Sequence, residues 1–207
     1  MKKELKCFTK EQVEKATKEL GYKYFINGAY NVNIIGIRNG ETGDNITNKF
    51  DDCITISYKD DDENWVFKCW KCTTDPGKYW TENLMNKRGV AILKEGQYRG
   101  SHKIRKHKGK YDALCQKGLV KVYRDKDMND EYDLLEENVH KGIYGINIHK
   151  AGSWKSGSVK VDKWSAGCQV FSKEDDFYDF MNVMYKARDR WGNSFTYTLI
   201  NSKDISV

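Results

Sequence analysis

Short β-branched and aromatic runs, each closed off by Gly, Asn or Asp, recur along this chain, whereas apolar residues at helical spacing appear only near its two ends. The runs Asn33–Ile37, Ile54–Tyr58, Trp65–Cys72, Gly89–Leu93, Leu119–Tyr123, Gly142–His149 and Phe195–Ile200 read as strands, with Trp65–Cys72 expected to be buried on both faces. A helical bundle is thereby excluded, and the expected fold class is a β-rich α+β domain with two peripheral helices. The first helix is predicted over Lys10–Leu20. Thr9 is its cap, Gln12 the capping-box partner, Val13, Ala16 and Leu20 its apolar face, and Gly21 its stop. The second is predicted to begin after Ser172, with Asp175 as a near capping-box partner, and to reach Arg190 before Gly192. Phe177, Phe180, Met181, Met184, Ala187 and Trp191 fall on one side of it.

The chain has 207 residues, of which 13% are aromatic. That is enough to fill a core despite a mean hydropathy of -0.81, so disorder is excluded as the main state. No apolar run approaches the roughly 18 residues of a membrane span. Met1–Lys6 carries charges with no apolar segment behind it, so no signal peptide is read and cytoplasmic synthesis is expected. A net charge of +6 fits nucleic acid, an anionic wall polymer or plain solubility alike. No internal repeat appears, and Pro76 is the only proline. Residues 1–65 are expected to form an N-terminal helix-and-strand part packed on a main unit spanning 66–207.

The six cysteines, Cys7, Cys53, Cys69, Cys72, Cys115 and Cys168, are read mostly as reduced thiols, because a chain of this length does not depend on disulfide staples. Cys168 stands apart. His149 ends a predicted strand, and the flexible stretch Ala151–Ser158 allows the chain to return and bring Cys168 beside it. An imidazole that accepts a thiol's proton makes the sulfur nucleophilic. Ser165-Ala166-Gly167 makes a tight turn in which the N–H groups of Gly167 and Cys168 are placed to face an oxyanion. A buried structural thiol beside a hydrogen-bonded histidine satisfies the same spacing.

His149 followed by Ser165-x-Gly167-Cys168 resembles the signature of the L,D-transpeptidase catalytic domain, and Thr73-Thr74-Asp75-Pro76-Gly77 resembles, loosely, a turn of that family. The resemblance covers about residues 70–175 and implies an L,D-transpeptidase-like β-sandwich. It further implies cysteine acyl transfer on peptidoglycan stem peptides without a cofactor. Cys168 is then the nucleophile and His149 the base, Ser165 and Gly167 shape the loop and the oxyanion site, and an amine or water resolves the thioacyl enzyme. Lys150, Trp164, Gln169 and His107 are the substrate-contacting residues expected on this basis. Ala166 stands where the family usually has a second histidine, Gln169-Val170 replaces an apolar residue followed by Arg or Asn, and Lys150 replaces a common Gly. These departures bear on how a substrate carboxylate is held. The form Trp164–Phe171 resembles bacteriophage versions. A phage-encoded chain that reaches the wall on lysis or in a virion, with phage structural proteins as partners, is therefore expected. No membrane partner is expected.

Weaker signals remain. Cys69-x-x-Cys72 suggests zinc with His102 and His107, but cysteines three apart on a strand point to opposite faces, so no metal is assigned there. Asp125, Asp127 and Asn129 alternate as in a calcium loop, with Glu136 at the twelfth place. Asp130 occupies the position of the required glycine, and an acidic, solvated turn is the alternative reading. The basic segment Arg99–Lys110, flanked by Tyr98 and Tyr111, reads first as a solvated loop with no partner; it also suits a lid, a groove for anionic substrates, or single-stranded nucleic acid, the last being the less favoured. Beside the enzyme, two other readings stand: a virion assembly component that retains the fold, and a nucleic-acid-binding module.

Overall fold

A computed structural model describes residues 8–152 and 156–206; Cys7 and positions 153–155 of the expected flexible return lie outside the described residues. The elements in chain order are α1 (Lys10–Glu19), β1 (Asn33–Arg38), β2 (Asp52–Lys59), β3 (Trp65–Thr73), α2 (Lys78–Glu82) and β4 (Val90–Leu93). They continue with β5 (Gly96–His107), β6 (Tyr111–Gln116), β7 (Val120–Asp125), β8 (Val139–Gly142), β9 (Ile148–Lys150), β10 (Gln169–Phe171), α3 (Glu174–Trp191) and β11 (Phe195–Asn201). Eight strands close a barrel in the order β1-β11-β5-β6-β9-β10-β3-β2, and β4-β7-β8 form a separate antiparallel sheet.

The β-rich α+β class therefore holds, but the architecture is a closed barrel and not the expected sandwich. Nor does the chain divide at residue 65, since β1 and β2 are staves of the same barrel as the later strands. Closure depends on two parallel pairings, β1 with β11 and β9 with β10. The second of these carries the candidate site.

Every residue of β1 is buried. Its inward positions, Ile34 and Gly36, meet Tyr197 and Leu199, while Ile35 and Ile37 pack outward with Val13 and Ala16 of α1. The Thr9–Gln12 capping box is present as expected. In α3 the apolar stripe packs on Trp70 and Phe171 as far as Ala187, while Trp191 at its end is exposed; the helix starts at Glu174 with no side-chain cap, so Ser172 is not its capping residue. A third helix, α2, was not legible in the sequence. The expected burial of Trp65–Cys72 on both faces is met only in part: Trp65–Cys69 are half-buried, Lys71 is exposed, and Trp70 and Cys72 are buried.

Gly142–His149 is not one strand. Its start pairs with β7 and its end with β6 and β10, and between them the ladder is replaced by one side chain. Gln116 Oε1 accepts from the amides of Tyr144 and Ile146 at 3.0 and 2.9 Å, and its Nε2 donates to the carbonyls of Gly118 and Gly142. Gly145 sits at φ +73° within this crossing. Among the described residues no helix is long and apolar enough to cross a membrane.

Candidate functional site

Alternation along β10 turns Gln169 and Phe171 into the barrel and leaves Cys168 and Val170 on its outer side. His149 is the register partner of Val170, and Asn147 O accepts from the Gln169 amide. Cys168, Asn147 and His149 thus lie along one outer face. Cys168 is half-buried and His149 buried.

Each imidazole is oriented by a fixed partner. Lys150 O lies 2.8 Å from His149 Nδ1. A carbonyl only accepts, so that nitrogen carries the proton and Nε2 presents a lone pair. His107 stacks on His149 with ring centroids 4.3 Å apart. Asn147 Oδ1 accepts from the Gln116 amide at 2.9 Å, which turns its Nδ2 towards His107 Nδ1 at 3.2 Å. Asn147 also donates its own amide to Cys168 Sγ at 3.5 Å. The sequence reading passed over Asn147, although it sits two residues before His149 on the same strand face.

The resting pair is neutral. Cys168 Sγ donates to Gly145 O at 3.3 Å, and among the described residues no hydrogen bond joins it to an imidazole. Burial pushes the thiol up to about 11, offset in part by the Asn147 amide and the Lys108 charge. Burial, then His107, pulls His149 down to about 3. The expected thiolate beside its histidine is therefore not the resting state.

The turn that carries Cys168 is held from three sides. Ser165 Oγ donates to Cys168 O at 2.7 Å and accepts from Gly167 N at 3.1 Å, so this hydroxyl fixes the loop and touches no imidazole. The Gly167 amide is thereby committed, and of the two N–H groups expected to face an oxyanion only that of Cys168 lacks a hydrogen bond among the described residues. From inside the barrel, Tyr197 Oη donates to Gln169 Oε1 at 2.8 Å, and Gln169 Nε2 donates to the carbonyls of Thr74 and Gly167. Gly167 lies at φ +119° with a notional Cβ 2.2 Å from Ala91 O. Gly167→Ala is therefore expected to displace the turn, lowering stability by roughly 1–3 kcal/mol and removing Cys168 reactivity. Thermal melts with thiol alkylation of the folded protein check it.

The remaining expected contacts divide. His107 joins the site. Gln169 is fully buried inside the barrel, so it positions Cys168 and cannot reach a substrate. Lys150 is buried on the side facing α3, its Nζ 2.5 Å from Glu174 Oε1 and set over the Tyr111 ring, which removes it from the Cys168 face. Trp164 is an exposed ring in the turn before Ser165. Arg99–Lys110 is not a loop but most of β5 and its tight turn, which brings His107 and the charge of Lys108 to the site. His102 is buried and bonds Ile146 O. Cys69 and Cys72 pack in different clusters on opposite faces of β3, so the two cysteines and the two histidines do not form a zinc site.

A pocket of about 330 Å³ opens beside the turn, lined by Trp80, Met85, Val90, Arg124, Tyr144 and Ala166 among others. Arg124 lies over the Tyr144 ring at 4.8 Å and donates from Nη1 to Gly89 O at 2.9 Å, while its buried Nε has no hydrogen-bond partner. Desolvation lowers its pKa, and no carboxylate opposes the shift. Comparison with family models, curated proteins and solved structures found no match for this chain.

Proposed function

We propose that the protein is a cysteine-dependent acyltransferase or hydrolase acting on peptidoglycan stem peptides. The observation that carries this reading is the outer face shared by Cys168 and His149, with the Nε2 lone pair of His149 made available by the bond from Nδ1 to Lys150 O. Cys168 attacks a peptide carbonyl as its proton passes to His149. The Cys168 amide stabilises the oxyanion, and the leaving amine takes the proton from the imidazolium. An incoming amine or water then cleaves the thioester. The pocket beside Ala166 gives the peptide a place to lie, and Arg124 supplies a cation with no internal counter-charge for a substrate carboxylate. This supports the stem-peptide class, whose chains end in carboxylates. Phage origin, with delivery to the wall on lysis or in a virion, is part of the same proposal.

Muropeptides incubated with the wild type and with Cys168→Ala, and read by mass spectrometry, test it. Cleaved or cross-linked products are expected with the wild type alone; unchanged muropeptides with both would remove the reading.

A further inference from the structure

Beyond the end of β7 the chain runs irregularly from 126 to 135, and three carboxylates of this stretch and its root converge. Oxygens of Asp125, Asp127 and Asp133 lie within 4.8 Å of one another. Asp125 is only 2% exposed, which is at odds with a solvated turn, and its Oδ2 is buried with no hydrogen-bond partner. Among the described residues no lysine or arginine is ion-paired with any of the three. Lys94 pairs instead with Glu136, and Lys78 with Asp130 and Glu82. A buried, unpaired carboxylate packed against two more costs free energy unless a cation offsets it.

We propose that Asp125, Asp127 and Asp133 form a binding site for a hard divalent cation of the calcium class. The donors are all oxygens. Asp125 ends β7, while Asp127 and Asp133 sit on a stretch with no regular secondary structure, which suits the adaptable coordination of calcium better than the strict octahedron of magnesium. The ligand set differs from the alternating pattern read in the sequence. Asn129 Nδ2 and its amide donate to Asp127, so Asn129 braces a ligand, and Asp133 takes the third place. Glu136 is held by Lys94 and is not part of the set. The ion fastens a segment that already reaches the turn after β3 and the first helix beyond it, through Tyr132 Oη donating to Pro76 O at 2.7 Å and Asp130 pairing with Lys78. It is independent of the acyl-transfer reading.

Thermal melts of the full chain in calcium and in chelator test the site, with terbium luminescence excited through the aromatic residues as a direct binding signal. Calcium at a hundredfold excess over its Kd is expected to raise the wild-type Tm by roughly 5–10 °C. Asp125→Asn is expected to lose that response and the terbium signal, yet to melt in chelator no lower than the wild type, because it removes an unpaired buried charge. Asp133→Asn, at a less buried position, is expected to weaken the response at least tenfold in calcium concentration. A wild-type Tm indifferent to millimolar calcium, or variants that respond as the wild type does, would overturn the proposal.

Discussion

His149→Ala is expected to slow acylation of Cys168 by about 10²–10⁴-fold, the usual contribution of a positioned general base. The pH profile separates this mechanism from a preformed ion pair. His149 must be neutral to accept the proton, and its folded-state pKa of about 3 keeps it so throughout the range from pH 5 upward. Cys168, pushed up to about 11, stays protonated until strongly alkaline pH. Acylation by the wild type is therefore expected to be nearly flat from about pH 5 to 9. A resting thiolate–imidazolium pair would instead lose activity as its imidazolium deprotonated near neutral to mildly alkaline pH. Alkylation of the free protein should climb with pH without an acid plateau. Single-turnover rates measured across that range decide the matter, and a bell centred near pH 7 would rule out the neutral pair. His107→Gln serves as a positioning control: it keeps a group able to accept from Asn147 Nδ2 but removes the stacked ring, so a smaller loss than that of His149→Ala is expected.

The second large effect concerns stability. Arg38 is buried at the end of β1. Its Nη1 lies 2.7 Å from Glu95 Oε1 and its Nε 2.8 Å from Asp75 Oδ1, and it donates to Leu93 O at 2.9 Å. Asp52 lies alongside, accepting from the amides of Asn39 and Thr74 and from Thr74 Oγ1. Burial and the Asp75 charge already raise Asp52 to about 8. Arg38→Met would leave three acids together without their cation, and a loss of about 3–5 kcal/mol is expected, or on the order of 10 °C in Tm. Adding Asp75→Asn and Glu95→Gln should recover much of that loss, since a buried charge is most costly when its partner alone is removed. Denaturant melts of the single and triple variants measure both. Equal stability of Arg38→Met and the wild type would show that the cluster carries no net interaction.

What was legible in the sequence was local. Thr9 and Gln12 cap α1 because the bonds they make span three residues, and the α3 stripe needs only its own period. β1 to β4, β7 and β11 were legible for the same reason, whereas β5, β6 and β10 were not read as strands, and the closure was not legible either, since alternation says which residues face a core and not which distant strand is the neighbour. The site shows the same division. His149 and Cys168 were found from their chemistry and flanking turn. Asn147 was missed because its role depends on Gln116 and His107, neither near it in sequence. Lys150 and Gln169 were misplaced because adjacency along a strand puts successive side chains on opposite faces. Gly142–His149 was read as one strand because nothing in its own residues announces that Gln116 interrupts the ladder.

The tyrosine that crosses the barrel to Gln169 has a consequence for the order in which the molecule matures. Tyr197 belongs to β11, which is wedged between β1 and β5 and pairs with residues from the opposite end of the sequence, Ile34 with Tyr197 and Gly36 with Leu199. Pairing segments so far apart in sequence is the kind of contact that slows folding, and it is expected to form late. Until that strand inserts, the hydrogen bond that fixes Gln169 does not exist, and the turn that carries Cys168 lacks its inner support. A chain whose last strand has not inserted therefore holds the Cys168 thiol in an unset loop, and under the proposed acyl-transfer reading its reactivity is expected only once β11 is in place.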